Sequence, residues 1–321
     1  MFDVMTLGSA TKDIFLFTKD SNLKPGINRN FLEIPSDKKI EVTKRLEFSG
    51  GSATNAAATF AGFGKTVGVI SKTGNDYNGE FIIEDLKKRG ISTDYMIKTD
   101  GETPFTNILV SNNGHMVILT YRGIEGSLET KEIRFDFKSK WMYIGPLSGS
   151  AYKVLPDAVN YCNQNGIKVV LNPGSTELSL KLKKMESILK NVDVISMNDE
   201  EARKFVGYGN DVKNLMKLAE IVKETAIITK GDKGSVVANG KSIYYAGTFH
   251  SKQINFVGAG DAYLSGFITG LMDGKNIEDS ISLGSYNASG VVKQYGAKDG
   301  LVITIATCIT IGLCLIRLLV R

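Results

Sequence analysis

An α/β fold with a mostly parallel sheet, covered by helices on both faces, is what this sequence predicts, and three observations predict it. Short β-branched runs alternate with helical patterns along most of the chain. Glycine-rich turns stand where several of those runs hand over to helices. The 321 residues, 42% hydrophobic and 23% charged, are enough for a large packed core of ordinary soluble composition.

Residues 2–8 read as the first strand, and 53–63 as a helix of small residues behind the glycine pair Gly50-Gly51. Further strands fit at 66–70, 141–144, 168–171, 192–195 and 226–229, with helical patterns at 79–89, 152–165 and 201–206 between them. A helix also starts at Gly258 to Asp261, its apolar face at Leu264, Phe267, Ile268 and Leu271 spaced i, i+3, i+4, i+7. Two stretches break this rhythm. The runs 105–110 and 116–121 flank Asn113-Gly114, a two-residue hairpin signal, and 14–48 reads as extended, with Ile40, Val42 and Leu46 alternating with polar neighbours. Together 14–48 and 100–122 predict a small second sheet standing off the main body as a lid. No repeat or linker divides the chain, so 1–300 reads as one domain and 301–321 as an atypical apolar tail.

Composition narrows the function. The net charge of +5 comes from scattered basic residues that are seldom interleaved with aromatics, which argues against a nucleic-acid groove. Three cysteines without a CxxC pair give no disulfide framework and suit a reducing cytoplasm. Two histidines, His115 and His250, are too few for a zinc site or a Ser/His/Asp hydrolase and read as structural. The opening residues run straight into a strand pattern with no basic leader, so export is not expected.

Four pieces carry chemistry. Gly258-Ala259-Gly260-Asp261 opens a helix and is either a turn kept small for packing or, through its free amides and dipole, an anion site with Asp261 at its edge to take a proton from an attacking hydroxyl. Asn198-Asp199-Glu200-Glu201 is either a plain helix cap or, through Asn198 and Glu201, a holder for hydrated Mg²⁺. The stretch 229–234, with Thr229, Gly231 and Gly234, is either a tight turn or a rail along which a nucleotide lies. Gly50, Gly51 and Asn55 open the early helix while Asp13 leaves the first strand region, polar groups able to bind several hydroxyls of a polyol or to serve as caps and turns.

In this order and spacing the four pieces resemble the ribokinase-like (PfkB) carbohydrate kinases, over about residues 3–300. The glycine-pair signature at 50–64, NxxE at 198–201, TxGxxG at 229–234 and GAGD at 258–261 carry the likeness jointly. The resemblance implies a three-layer Rossmann-like fold with a β-lid, often used for dimer contacts, and phosphoryl transfer from ATP to a hydroxymethyl group with Mg²⁺. It implies Asp261 as base, the amides of Gly258, Ala259 and Gly260 as anion hole, and Asn198 and Glu201 as organisers of metal and phosphate. Thr229, Gly231, Gly234 and Asn287 would line the nucleotide, and Asp13, Gly50, Gly51, Asn55 and Asn172 would meet the acceptor.

There are departures. The family usually places Asp-Thr-x before GAGD; here Asn255-Phe256-Val257 stand there, and the missing carboxylate argues against potassium activation. Thr11 occupies a position that is often asparagine in ribokinases, which argues against ribose itself. A nucleoside kinase on the same fold is the rival reading, favoured if Phe105 and Tyr121 face the acceptor; a non-catalytic sugar- or nucleotide-binding homologue is another. Residues 301–316 carry no charge, short of a span of roughly twenty, and three readings stand for them: a buried or β-like terminus, a membrane tail, or an aberrant end.

Overall fold

The computed structural model describes residues 1–19, 22–24, 31–207, 209–249, 253–301 and 315–319. His250, Cys308, Cys314, part of the segment 14–48 and most of the tail lie outside the described residues. In chain order the strands are β1 (Phe2–Leu7), β2 (Thr11–Thr18), β3 (Asn22–Lys24), β4 (Phe31–Glu33), β5 (Val42–Gly50), β6 (Val67–Gly74), β7 (Met96–Thr99) and β8 (Phe105–Val110). There follow β9 (Met116–Tyr121), β10 (Ser139–Ile144), β11 (Lys168–Leu171), β12 (Val194–Asn198), β13 (Thr225–Thr229), β14 (Ser235–Asn239), β15 (Ser242–Ala246) and β16 (Leu315–Leu319). The helices are α1 (Ser52–Gly62), α2 (Tyr77–Lys88), α3 (Leu155–Gln164), α4 (Ser175–Ser179), α5 (Lys181–Leu189), α6 (Asp199–Val206), α7 (Asp211–Ala219), α8 (Ala259–Met272) and α9 (Ile277–Val291).

The main sheet runs β16-β15-β14-β13-β12-β11-β10-β1-β6-β7, parallel from β13 to β7 and antiparallel from β13 outward to β16. Period-2 alternation sends successive strand residues to opposite faces. Met142 and Ile144 therefore join the core under α3 and its neighbours, while Trp141 and Tyr143 join the core under α1, α2, α8 and α9. That alternation aims the Tyr143 ring at the helices that carry the site. Small residues do the rest: Ala53, Ala56 and Ala57 bring α1 close, and a side chain at Gly266 would press on Gly284 of α9. Fully buried Phe267 holds α8 to the sheet, a burial that stabilises by roughly 2–3 kcal/mol.

The second sheet is four-stranded, β5-β2-β8-β9, and β3 pairs with β4 separately. Phe15, Ile108 and Val110 on its inner face meet Val257 and Tyr295 of the main body. The β8–β9 connection is not the two-residue turn expected at Asn113-Gly114. The Ser111 carbonyl accepts from Gly114 N, and Ser111 N donates to His115 O, so Asn112, Asn113 and Gly114 form a three-residue loop with Gly114 at φ 78. A turn followed by a left-handed glycine is the next commonest hairpin design, and the second asparagine supplies its extra residue. His115 sits on that loop, away from the cavity described below.

The expected helix over 152–165 begins instead as a 3-10 turn, Ala151–Val154, and becomes α3 at Leu155 with Pro156 in its first turn. Residues 315–319 pair with β15 at the edge of the main sheet, the β-like arrangement for that part of the tail. Among the described residues no helix is long and apolar enough to cross a membrane.

Candidate active site

A cavity of about 740 Å³ opens at the carboxyl ends of β11, β12 and β13, where ligands sit in open α/β sheets. Gly258, Ala259, Gly260 and Asp261 line it from the start of α8. Gly258 is the N-cap, left-handed at φ 80, and the turn it makes presents the first free amides of α8 to the cavity.

Asp261 is half-buried, and three side chains hold its carboxylate. Ser52 Oγ donates to Oδ1 at 2.6 Å and Tyr143 Oη to the same oxygen at 3.0 Å, while Asn55 Nδ2 donates to Oδ2 at 3.0 Å. Burial raises the carboxyl above its ordinary range, against the opposing pull of those three donors and of the Lys298 ammonium.

Asn198 caps α6: its Oδ1 accepts from Glu201 N at 2.8 Å, and its own N–H donates to Glu201 Oε2 at 2.8 Å. Both residues also line the cavity, so cap and site coincide. Burial raises the Glu201 carboxyl, against the opposing pull of its hydrogen bonds from the Asn198 backbone and side chain. Among the described residues no three His, Cys, Asp or Glu side chains gather as a metal cage. One carboxylate oxygen beside a carboxamide fits a hydrated Mg²⁺ that keeps waters and phosphate oxygens as its other ligands.

Thr229, Gly231, Asp232 and Gly234 line the same cavity. Lys230 N–H donates to Gly234 O at 2.7 Å to close the turn, and a side chain at Gly234 would collide with the Ala246 carbonyl. Asn172 lines the cavity too, its Nδ2 donating to Ser196 O at 2.9 Å. Asn287 does not: it is fully buried behind α8, with Nδ2 on the Ala262 carbonyl at 2.8 Å, so the expected nucleotide contact is a brace between α8 and α9. Thr248, Phe249 and Gln253 line the cavity without having carried any signal in the sequence, and Phe256, from the departure before GAGD, lines it beside them. Phe256 is 51% exposed, a large apolar side chain left open beside the amides of α8.

On the far side of Asp261 lie Asp13, Gly50, Gly51 and Asn55, outside the lining of that cavity. Asp13 is 4% exposed, accepts from Thr11 Oγ1 at 3.1 Å and from Thr106, and burial pushes its carboxyl up to about 6. A side chain at Gly50 would run into that carboxylate. Lys298, missed in the sequence, is buried here with its ammonium on Ser49 Oγ and, at 3.4 Å, on Asp85 Oδ2; burial holds it down at about 8. Asn255 is buried and hydrogen-bonded at both ends of its amide, to Gly296 O and from Val257 N. Phe105 and Tyr121 do not line the cavity; their rings pack on each other at 5.0 Å and Tyr121 donates to Glu102.

The raised Asp13 carboxyl has a consequence for stability. The folded state holds this proton more tightly than the unfolded chain, so this carboxyl's contribution to stability is full below roughly pH 4 and is lost as pH rises to about 6. Asp13→Asn removes the penalty and is expected to stabilise the protein by up to about 3 kcal/mol at pH 7.5, with little gain at pH 4. Thermal unfolding at the two pH values measures it; an equal change at both would refute the assignment.

Comparison with known proteins follows the same lines. A family model described as pfkB family carbohydrate kinase matches residues 2–304. The chain belongs to that family. This pfkB-family kinase is 29% identical over 238 residues to an uncharacterized sugar kinase of Archaeoglobus fulgidus, covering 72% of this chain and 93% of the relative. It is 27% identical to a 5-dehydro-2-deoxygluconokinase of Geobacillus thermodenitrificans, covering 86% of each. Its fold matches the crystal structure of the Methanocaldococcus jannaschii nucleoside kinase, an archaeal member of the ribokinase family, with TM-score 0.78 and 22% identity over 96% of this chain and 97% of that one. The protein is thus a carbohydrate kinase of the pfkB family, a phosphotransferase acting on an alcohol group, with a ribokinase-like fold.

Proposed function

We propose that this kinase transfers the γ-phosphoryl group of ATP to a hydroxymethyl group of a sugar or sugar-like acceptor, with Asp261 as general base. The observation that carries the reading is the position of Asp261. Its carboxylate stands between a cavity lined by the amides of α8 and the polar side chains Asn55 and Asp13. Asp261 takes the hydroxyl proton as the alcohol oxygen attacks, and the amides of Gly258, Ala259 and Gly260 stabilise charge on the phosphoryl group in transit. Thr229, Gly231 and Gly234 would lie along the nucleotide, while Asn198 and Glu201 would hold a hydrated Mg²⁺. Mg²⁺, when bound, neutralises charge on the phosphates.

Asp13, Gly50, Gly51, Asn55 and Asn172 receive the acceptor's hydroxyls, and the four-stranded sheet serves as a lid over them. That sheet's exposed Ile118, Leu119 and Tyr121 suit contact with a second copy, which light scattering would detect. The buried polar groups Asp13 and Asn55 on the acceptor side suit hydroxyls, so a free sugar is the preferred acceptor. The test is ATP consumption against a panel of sugars, sugar acids, sugar phosphates and nucleosides, run in potassium and in sodium. Turnover with a sugar, equal in both salts given the satisfied Asn255 amide, is expected; turnover with nucleosides alone would overturn the acceptor class, and none at all would overturn the kinase reading.

A further inference from the structure

Three oxygens meet behind the cavity with too few hydrogens between them. Ser52 Oγ and Tyr143 Oη lie 2.6 and 3.0 Å from Asp261 Oδ1, and 3.1 Å from each other. While Asp261 is ionised, this triangle contains two hydrogens, one on each hydroxyl. Both go to the carboxylate, since a bond to an anion is roughly twice as strong as one between neutral hydroxyls. Oδ1 is then filled. Oδ2 has a single bond, from Asn55 Nδ2, and keeps a lone pair open.

We propose that Ser52 and Tyr143 are positioning residues that clamp Oδ1 of Asp261, fix the plane of its carboxylate, and leave Oδ2 as the oxygen that receives the acceptor's proton. The O–H bond of the acceptor breaks toward Oδ2, its oxygen bonds to the γ-phosphorus, and the bond from that phosphorus to the β-phosphate oxygen breaks to release ADP. Two details favour the clamp over ordinary packing. Tyr143 is fully buried within β10 between Met142 and Ile144, where a phenylalanine would fill the same space without a hydroxyl to satisfy. Asn55, 4% exposed, spends its Nδ2 on Oδ2 while its own buried Oδ1 has no hydrogen-bond partner in the protein, an amide that forgoes a partner of its own to hold the carboxylate.

The inference rests on Asp261 being the base, so its test separates the two claims. Full-length protein with ¹³C-carboxyl aspartate is titrated by NMR, the Asp261 signal being the one lost in Asp261→Asn. Ser52, Asn55, Tyr143 and Lys298 are the groups acting on that carboxyl. Removing one hydroxyl donor by Tyr143→Phe or Ser52→Ala is expected to raise the midpoint by about one pH unit, and the double variant to raise it further. In parallel, ATP hydrolysis with Mg²⁺ and water as phosphoryl acceptor is followed against pH. Its acid limb should move up with the midpoint, and turnover should fall about tenfold with the KM for ATP unchanged. Midpoints that stay in place in both single variants overturn the clamp. Midpoints that move while the acid limb does not uphold the clamp and overturn Asp261 as the base.

Discussion

Asp261→Asn is expected to lower turnover by about 10²- to 10⁴-fold, the share that a positioned base contributes, while ATP binds within a few-fold of its original strength. Asparagine has the size of aspartate, and its amide oxygen can still accept from Ser52 and Tyr143. Its amide nitrogen would face Asn55 Nδ2, but Asn55 can turn its unpartnered Oδ1 toward it, so the network has a relaxed alternative. What the variant lacks is an oxygen basic enough to take the proton. The residues proposed to hold the nucleotide, at the ends of β12 and β13, are untouched, so calorimetry with a non-hydrolysable ATP analogue should show little change, and steady-state assays should show the loss. Turnover within tenfold of the unaltered protein would remove Asp261 from the chemistry, and parallel loss of ATP binding would mean that the substitution had disturbed α8 instead.

The contrast between Asp261 and its partners explains what the sequence made legible. Asp261 follows two glycines at the start of an amphipathic pattern, so a local signal announces a helix start with free amides and places a carboxylate at its edge. Asn198 and Glu201 likewise announce each other across three residues, as a capping box does. Tyr143 sits in an apolar run that reads only as a buried strand, and its partner lies 118 residues further on. Lys298, in the loop after α9, meets Ser49 and Asp85 across similarly large separations. Periodicity reports which face a residue takes, not which loop arrives opposite it. Asn287 fails for a related reason: its neighbours Ser285 and Ala288 do reach the cavity, but the helical turn of α9 rotates Asn287 itself against α8. The three-residue hairpin was missed because Asn113-Gly114 fits a two-residue turn equally well until the strand register is known.

A second large effect is expected at Gly258, and its neighbour Gly260 supplies the control. Gly258 is left-handed at φ 80, a conformation that costs a residue with a side chain roughly 1–2 kcal/mol, and its new methyl would collide with Ala297 in the loop that carries Lys298. Neither the backbone nor that loop can yield cheaply: Gly296, beside Ala297, is itself left-handed, and the Phe48 ring stands where a Cβ on it would be. The start of α8 must therefore shift, taking the amides of Ala259 and Gly260 and the Asp261 carboxylate with it. A displacement near 1 Å costs on the order of 100-fold in rate, so Gly258→Ala should lose at least that much turnover together with a drop in thermal stability. Gly260 lies inside α8 with nothing within 4 Å of where a Cβ would stand. Gly260→Ala should consequently hold or raise the melting temperature, since alanine is favoured over glycine within a helix by about 1 kcal/mol. Melting curves and turnover for the pair decide the matter: if both variants melt alike, the crowding at Gly258 is not what sets the geometry of the anion site.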